Sequence, residues 1–151
     1  MKMQLPIMGW RERVSLPDIH LKSLIAKVDT GAKTCSLHAE DISIVRVGRR
    51  KFVKFTVFPS AKDLKKTIRV RAELVDYRWV KDTGGKKTYR PVISSIINLG
   101  AYSWDVEITL VDRAPMKHRF LLARDAVKGH FLIDVSHSFL LSKSRRLSKK
   151  K

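Results

Sequence analysis

The sequence has a single cysteine, Cys35, among its 151 residues. That excludes any disulfide within the chain and fits a reducing compartment. Long apolar runs are also missing: none approaches the roughly 18 residues of a membrane-spanning helix, so no membrane span is expected. Near the start, the only apolar stretch is Leu5-Pro6-Ile7-Met8-Gly9-Trp10, which Arg11-Glu12-Arg13 ends. A secretory leader needs a core of roughly 7–15 apolar residues, so the expected location is the cytoplasm. There is no His-Glu-x-x-His, and no second pair to match Cys35 and His38, so no metal site is expected. There is no Gly-x-x-x-x-Gly-Lys-Ser/Thr loop either, so the chain is expected to bind no nucleotide and to need no cofactor.

Acidic residues are scarce: Asp plus Glu is 14 against 32 Lys plus Arg, a net charge of +18. Residues 143–151 carry 6 basic groups and no acid, and are expected to form a disordered basic tail; the rest of the chain keeps +12 without them. Such a field attracts RNA, ribosomes, anionic membranes or acidic peptides without choosing among them. Arg46, Arg49, Arg50, Lys51, Lys65, Lys66, Arg69 and Arg71 supply ample phosphate contacts. Along the sequence, however, the aromatic residues are not interleaved with these clusters as a stacking platform requires.

What is present is a soluble globular composition, 44% apolar with a mean hydropathy of −0.20, in a length that suits one domain. The expected domain runs over residues 5–142. Its pattern is mostly that of strands. Lys51 to Phe58 sets Val53, Phe55 and Val57 against Phe52, Lys54 and Thr56. Thr67 to Val75 places Ile68, Val70, Ala72 and Leu74 on one face, and Tyr102 to Val111 does the same with Trp104, Val106, Ile108 and Leu110. Period-2 alternation of this length predicts half-buried strands. Gly48, Pro59, Gly84-Gly85, Gly100 and Pro115 break it at hairpin-like spacing. One short helix is expected at Arg124-Asp125-Ala126-Val127-Lys128-Gly129, and Phe131 to Leu141 reads as strand again. The expected fold class is all-β, a small closed β-barrel with one late helix.

The segment richest in chemistry is Ala26-Lys27-Val28-Asp29-Thr30-Gly31-Ala32. A strand end delivers an Asp, a hydroxyl that can hold the turn, a glycine that permits close approach, and a small residue. This is what an aspartic protease needs. A second Asp-Thr-Gly, Asp82-Thr83-Gly84, sits before Gly85-Lys86-Lys87 in a wholly polar stretch and reads as a hairpin tip, a candidate flap over a cleft. Peptide hydrolysis by carboxylates takes two of them sharing one proton. A chain this short has room for one lobe, so the second Asp29 must come from a second copy by two-fold symmetry.

Lys27-Val28-Asp29-Thr30-Gly31-Ala32-Lys33-Thr34-Cys35-Ser36-Leu37-His38-Ala39 resembles the signature of the bacterial retropepsin-like proteins once labelled ATP-dependent zinc proteases. The resemblance runs from Gly9-Trp10-Arg11-Glu12 to Phe139-Leu140-Leu141, and includes Phe55-Thr56-Val57, Leu121-Leu122-Ala123-Arg124 and Phe131-Leu132-Ile133-Asp134. It implies a closed β-barrel, a homodimer, and catalysis by Asp29 with Thr30, Gly31 and Ala32 as loop supports. It also implies that Leu121 and Leu122 pack under the catalytic loop and that Arg124 ties the dimer together. Ala123 stands where the family usually has Gly, so its methyl is expected to crowd the packing beneath Asp29. Cys35 stands where Ser is common and is expected to be a small buried side chain. Ala32, unlike a Ser, cannot donate a hydrogen bond to the carboxylate, which predicts activity nearer neutrality than pH 3. The resemblance further implies a functional link to an ATP-grasp ligase that adds glutamates to a ribosomal protein. The expected substrate is therefore an acidic or glutamate-extended peptide. The alternative is a basic, inactive binding module on RNA or the ribosome.

Overall fold

The computed structural model describes residues 4–60, 62–82, 84–112 and 118–143. Its strands in chain order are β1 (Ile7–Gly9), β2 (Arg11–Leu16), β3 (Leu21–Asp29), β4 (Cys35–His38), β5 (Glu40–Val47), β6 (Arg50–Val57), β7 (Ile68–Glu73), β8 (Asp76–Lys81), β9 (Lys87–Leu99), β10 (Tyr102–Val111), β11 (Phe120–Ala123) and β12 (Leu132–Asp134). A 3₁₀ turn spans Pro17–Ile19, and the one α-helix, α1, spans Arg124–Val127. The expected tail lies outside the described residues beyond Lys143, and the break at Pro115 does so too.

The alternating segments resolve as their periodicity predicts. In β6, Val53, Phe55 and Val57 are buried and Lys54 is exposed; in β10, Val106, Ile108 and Leu110 are buried. The strands pair in the order β10-β4-β11-β3-β2-β9-β8, and β9 also pairs with β10. That second pairing closes six strands into a ring, so the sheet is a small all-β barrel with β8 as its free edge. The β5-β6-β7 sheet is separate and adds Val53, Phe55, Val57 and Val70 to the same core. Hairpin turns fall at Gly48, Gly84-Gly85 and Gly100, between β5 and β6, β8 and β9, and β9 and β10.

Two pairings are parallel in an otherwise antiparallel ring, and both position the site. Strand β10 runs beside β4 with Ile108 opposite Cys35, and β11 runs beside β3 with Leu122 opposite Val28 and Ala123 opposite Asp29. The short helix appears where expected, directly after β11. The long strand expected over Phe131 to Leu141 does not form. Only Leu132–Asp134 is strand, pairing in parallel with β1. The rest is an irregular strap, held by a buried side chain and by isolated backbone bonds, such as that from the Phe139 amide to the Arg11 carbonyl (3.0 Å), rather than by a continuous ladder. Glu12, fully buried on β2, accepts hydrogen bonds from the amides of Gly9 (2.7 Å), Leu140 (2.9 Å) and Leu141 (3.2 Å) and from the hydroxyl of Ser142 (2.6 Å). The strap also crosses β1 so closely that a Cβ on Gly9 would stand 2.6 Å from the carbonyl oxygen of His137, which only glycine tolerates.

Candidate active site

Strand β3 ends at Asp29, and the chain turns through Thr30 to Thr34 before entering β4. The turn is held locally and from beneath. Locally, the Gly31 amide donates to Oδ1 of Asp29 at 3.0 Å and the Ala32 amide donates to the Asp29 carbonyl at 3.2 Å. A Cβ on Gly31 would stand 3.3 Å from that Oδ1, so the glycine leaves the carboxylate its space. From beneath, the residues that follow β11 reach into the loop. The Arg124 amide donates to the Ala32 carbonyl (2.9 Å), the Asp125 amide to the Lys33 carbonyl (3.3 Å), and Nη1 of Arg124 to the Thr30 carbonyl (3.2 Å). The loop is thus bonded on both sides of its tip, while Thr30 and Gly31 are exposed and Asp29 is half-buried at the surface.

The second predicted motif lies against the first. Leu122 and Ala123 are fully buried and Leu121 is half-buried, in parallel register with Lys27, Val28 and Asp29. Ala123 shares the core cluster with Cys35 and Leu122, and its amide donates to Sγ of Cys35 at 3.4 Å. Burial, with a smaller contribution from the charge of Asp125, pushes the Cys35 thiol up to about 11. It is therefore the inert small side chain that its position predicts.

The second Asp-Thr-Gly does different work. Oδ1 of Asp82 accepts the Lys86 amide at 2.9 Å, the Asp82 amide donates to the Lys86 carbonyl at 2.9 Å, and the Gly85 amide donates to the Asp82 carbonyl at 3.0 Å. Asp82 therefore closes the β8–β9 turn, with Gly84 and Gly85 exposed at its tip; Thr83 lies outside the described residues. The two motifs are not brought together.

The hairpin does lean on the segment that follows the Asp29 loop. Nη1 of Arg78 donates to the Thr34 hydroxyl at 3.4 Å, and Arg78 pairs with Asp76 (3.1 Å) and Glu107. Buried Arg90 donates to the Ser36 hydroxyl at 3.2 Å. A cavity of about 200 Å³ opens beside Arg78, lined by Lys33, Thr34, Cys35, Arg78, Glu107 and Asp125 among others; Asp29 is not part of its lining.

His38 ends β4, three residues beyond Cys35. Its Nε2 lies 3.1 Å from Oε2 of Glu40 and its ring stacks on Phe58 at 5.6 Å. With Asp112 these form the one group of metal-capable side chains among the described residues, their ligand atoms within 4.8 Å of one another. The group lies at the far end of β4 from the Asp29 loop.

Sequence reasoning left Glu12 without a role. The signal was there: it shares the inward period of β2 with Val14 and Leu16, so alternation alone places it in the core. The support of α1 by Trp104, whose indole Nε1 donates to the Ala126 carbonyl at 3.0 Å, was likewise not foreseen.

A family model described as retropepsin-like aspartic endopeptidase RimB matches residues 7–144. The chain belongs to this RimB-like, retropepsin-like family. The match covers both the Asp29 loop and the β11 motif beneath it. A crystal structure of a Legionella pneumophila protein of unknown function superposes with a TM-score of 0.75 at 29% identity, covering 91% of this chain and 99% of that one. Among curated relatives, proteins named probable alpha-L-glutamate ligase are 36% identical over 135 residues in Shewanella pealeana and 36% over 140 residues in Parasynechococcus marenigrum. These alignments cover 89% and 93% of this chain but only 30% of each relative, so this RimB-like chain spans less than a third of their length.

Proposed function

We propose that two copies of this chain form an aspartic endopeptidase in which Asp29 of each supplies half of a catalytic dyad. The observation that carries the reading is the Asp29 loop. A surface carboxylate is oriented by the Gly31 amide and braced from beneath by Ala123-Arg124, while the chain's other Asp-Thr-Gly is occupied in closing a turn. One braced carboxylate per chain is half of what the chemistry requires, and a two-fold axis beside Asp29 supplies the rest.

In the dyad one carboxylate takes a proton from water as the water oxygen bonds to the peptide carbonyl carbon. The other, protonated, gives its proton to the carbonyl oxygen. Collapse of the tetrahedral adduct breaks the C–N bond, and the leaving amine takes up a proton. Arg124 holds the Thr30 carbonyl of its own chain, and in the dimer it would stand beside the subunit contact. The β8–β9 hairpin, with Asp82, Gly84 and Gly85 at its turn, serves as the flap. Extended peptide would add a strand to the cleft wall beneath it.

The substrate we infer is an acidic peptide, specifically the glutamate-extended end of a ribosomal protein. Two observations support it: the net charge of +18, with Lys33 and Arg124 exposed beside the loop, and relatives named for glutamate ligation that contain a segment like this chain. The direct test compares hydrolysis of a glutamate-extended peptide with its unextended form, by wild type and by Asp29→Asn, alongside sizing chromatography. Cleavage of the extended form, its loss in Asp29→Asn and a dimer in solution are expected. Cleavage that survives Asp29→Asn removes Asp29 from the mechanism, and a strict monomer at tens of micromolar removes the shared dyad.

A further inference from the structure

The β8–β9 hairpin has two unlike faces. Its register sets Tyr77 opposite Pro91, Arg78 opposite Arg90, Trp79 opposite Tyr89, Val80 opposite Thr88 and Lys81 opposite Lys87. Side chains alternate along a strand, so Arg78, Val80, Thr88 and Arg90 share one face and Tyr77, Trp79, Lys81, Lys87 and Tyr89 share the other. Arg78 and Arg90 reach Thr34 and Ser36, which turns the first face toward the catalytic sheet and the second away from it.

On the outward face the rings of Tyr77 and Tyr89 stack with centroids 5.0 Å apart and planes 9° from parallel, and Trp79 lies 4.9 Å from Tyr89. Trp79 is 67% exposed and Tyr89 56%. Next to this row, Lys81 and Lys87 sit directly across the ladder from one another. Like charges so placed destabilise a hairpin, and neither lysine has an ion-pair partner among the described residues. The nearby carboxylates are engaged elsewhere: Asp82 closes the turn and Asp76 holds Arg78 on the other face. Strand pairing thus brings basic and aromatic groups together, although the sequence does not interleave them around the larger basic clusters.

We propose that this outward face binds single-stranded RNA, with bases stacked on Tyr89 and Trp79 and phosphates on Lys81 and Lys87. An acidic peptide would satisfy the lysines and leave the rings bare. A single strand offers a π-face to each ring and a phosphate to each lysine, and the +18 charge draws a polyanion to the chain. The choice of RNA over DNA rests on the ribosomal substrate proposed above. The face itself shares no residue with the Asp29 loop, so either reading can fail alone.

The test is fluorescence anisotropy of a labelled single-stranded RNA of about ten nucleotides, within the usual site sizes, titrated with full-length protein over a range of KCl. Wild type and Asp29→Asn are expected to bind equally. Trp79→Ala should weaken binding roughly 5- to 150-fold, whereas Trp79→Phe should keep most of the affinity. Lys81→Gln with Lys87→Gln should lower the slope of log Kd against log[salt] by about 1.4. Circular dichroism melts establish folding, and if Trp79→Ala does not fold, the Trp79→Phe and lysine variants decide. Affinity within twofold of wild type in the alanine and lysine variants alike overturns the proposal, as does equal binding of duplex RNA or of single-stranded DNA. A glutamate oligopeptide whose binding, unlike that of RNA, depends on Trp79 assigns the face to acidic peptide and also overturns it.

Discussion

Replacing Glu12 by Gln removes one charge and one acceptor from a fully buried carboxylate that four donors share. One oxygen receives the amides of Gly9, Leu140 and Leu141; the other receives the Ser142 hydroxyl and shares the Leu141 amide at the same 3.2 Å. In Glu12→Gln the remaining carbonyl oxygen can keep the three amides, and the Ser142 hydroxyl can rotate to accept from the new NH₂. What is lost is the charge assistance. Hydrogen bonds to charged groups contribute about 1.5–3 kcal/mol against about 1 for neutral pairs. Over three retained bonds the variant should lose about 1.5–6 kcal/mol. Glu12→Ala should lose more, because three backbone amides then lack a partner at about 1–3 kcal/mol each, a large part of a typical total stability of about 5–15 kcal/mol. Urea unfolding at neutral pH measures the loss, and hydrogen exchange localises it, since the amides of Leu140 and Leu141 should exchange faster than those of the ring strands. A loss below about 1 kcal/mol for Glu12→Gln, with unchanged exchange in the strap, would refute the reasoning that this carboxylate holds residues 138–142 in place.

Much of the fold was legible because alternation is a local property. β6, β7 and β10 appear within a residue or two of their expected spans, with the expected faces inward. The Asp29 loop was legible as a turn at a strand end for a similar reason: its parts are contiguous. What escaped depends on partners distant in sequence. Residues 135–141 have a strand-like composition, but their amides go to Glu12, to the single carbonyl of Arg11 and to the strap's own turns rather than to a continuous strand ladder. The outward aromatic face was missed because Trp79 and Tyr89 meet only through the β8–β9 register.

Two further outcomes follow from the site. Gly31→Ala sets a methyl 3.3 Å from Oδ1 of Asp29; peptidase activity should fall at least about tenfold, while the melting temperature moves by only a few degrees. For Cys35, the folded thiol is held up to about 11 and the unfolded one titrates near 9.0. The associated stability is complete below pH 9 and is lost as pH rises through 11, by up to roughly 3 kcal/mol. Urea melts across that window should show the loss in wild type and a smaller one in Cys35→Ala. At pH 8 iodoacetamide should label Cys35 only after unfolding, and rapid native labelling would contradict its burial.

The central claim is that the working site needs Asp29 from two chains. Wild type and Asp29→Asn are unfolded together, refolded at varied ratio and assayed for hydrolysis of an acidic peptide at constant total protein. A shared dyad makes activity follow the square of the wild-type fraction, so an equimolar mixture should retain about one quarter of the wild-type rate. A linear dependence, with about one half retained at equimolar mixing, would mean that each chain carries a complete site, and would contradict the account.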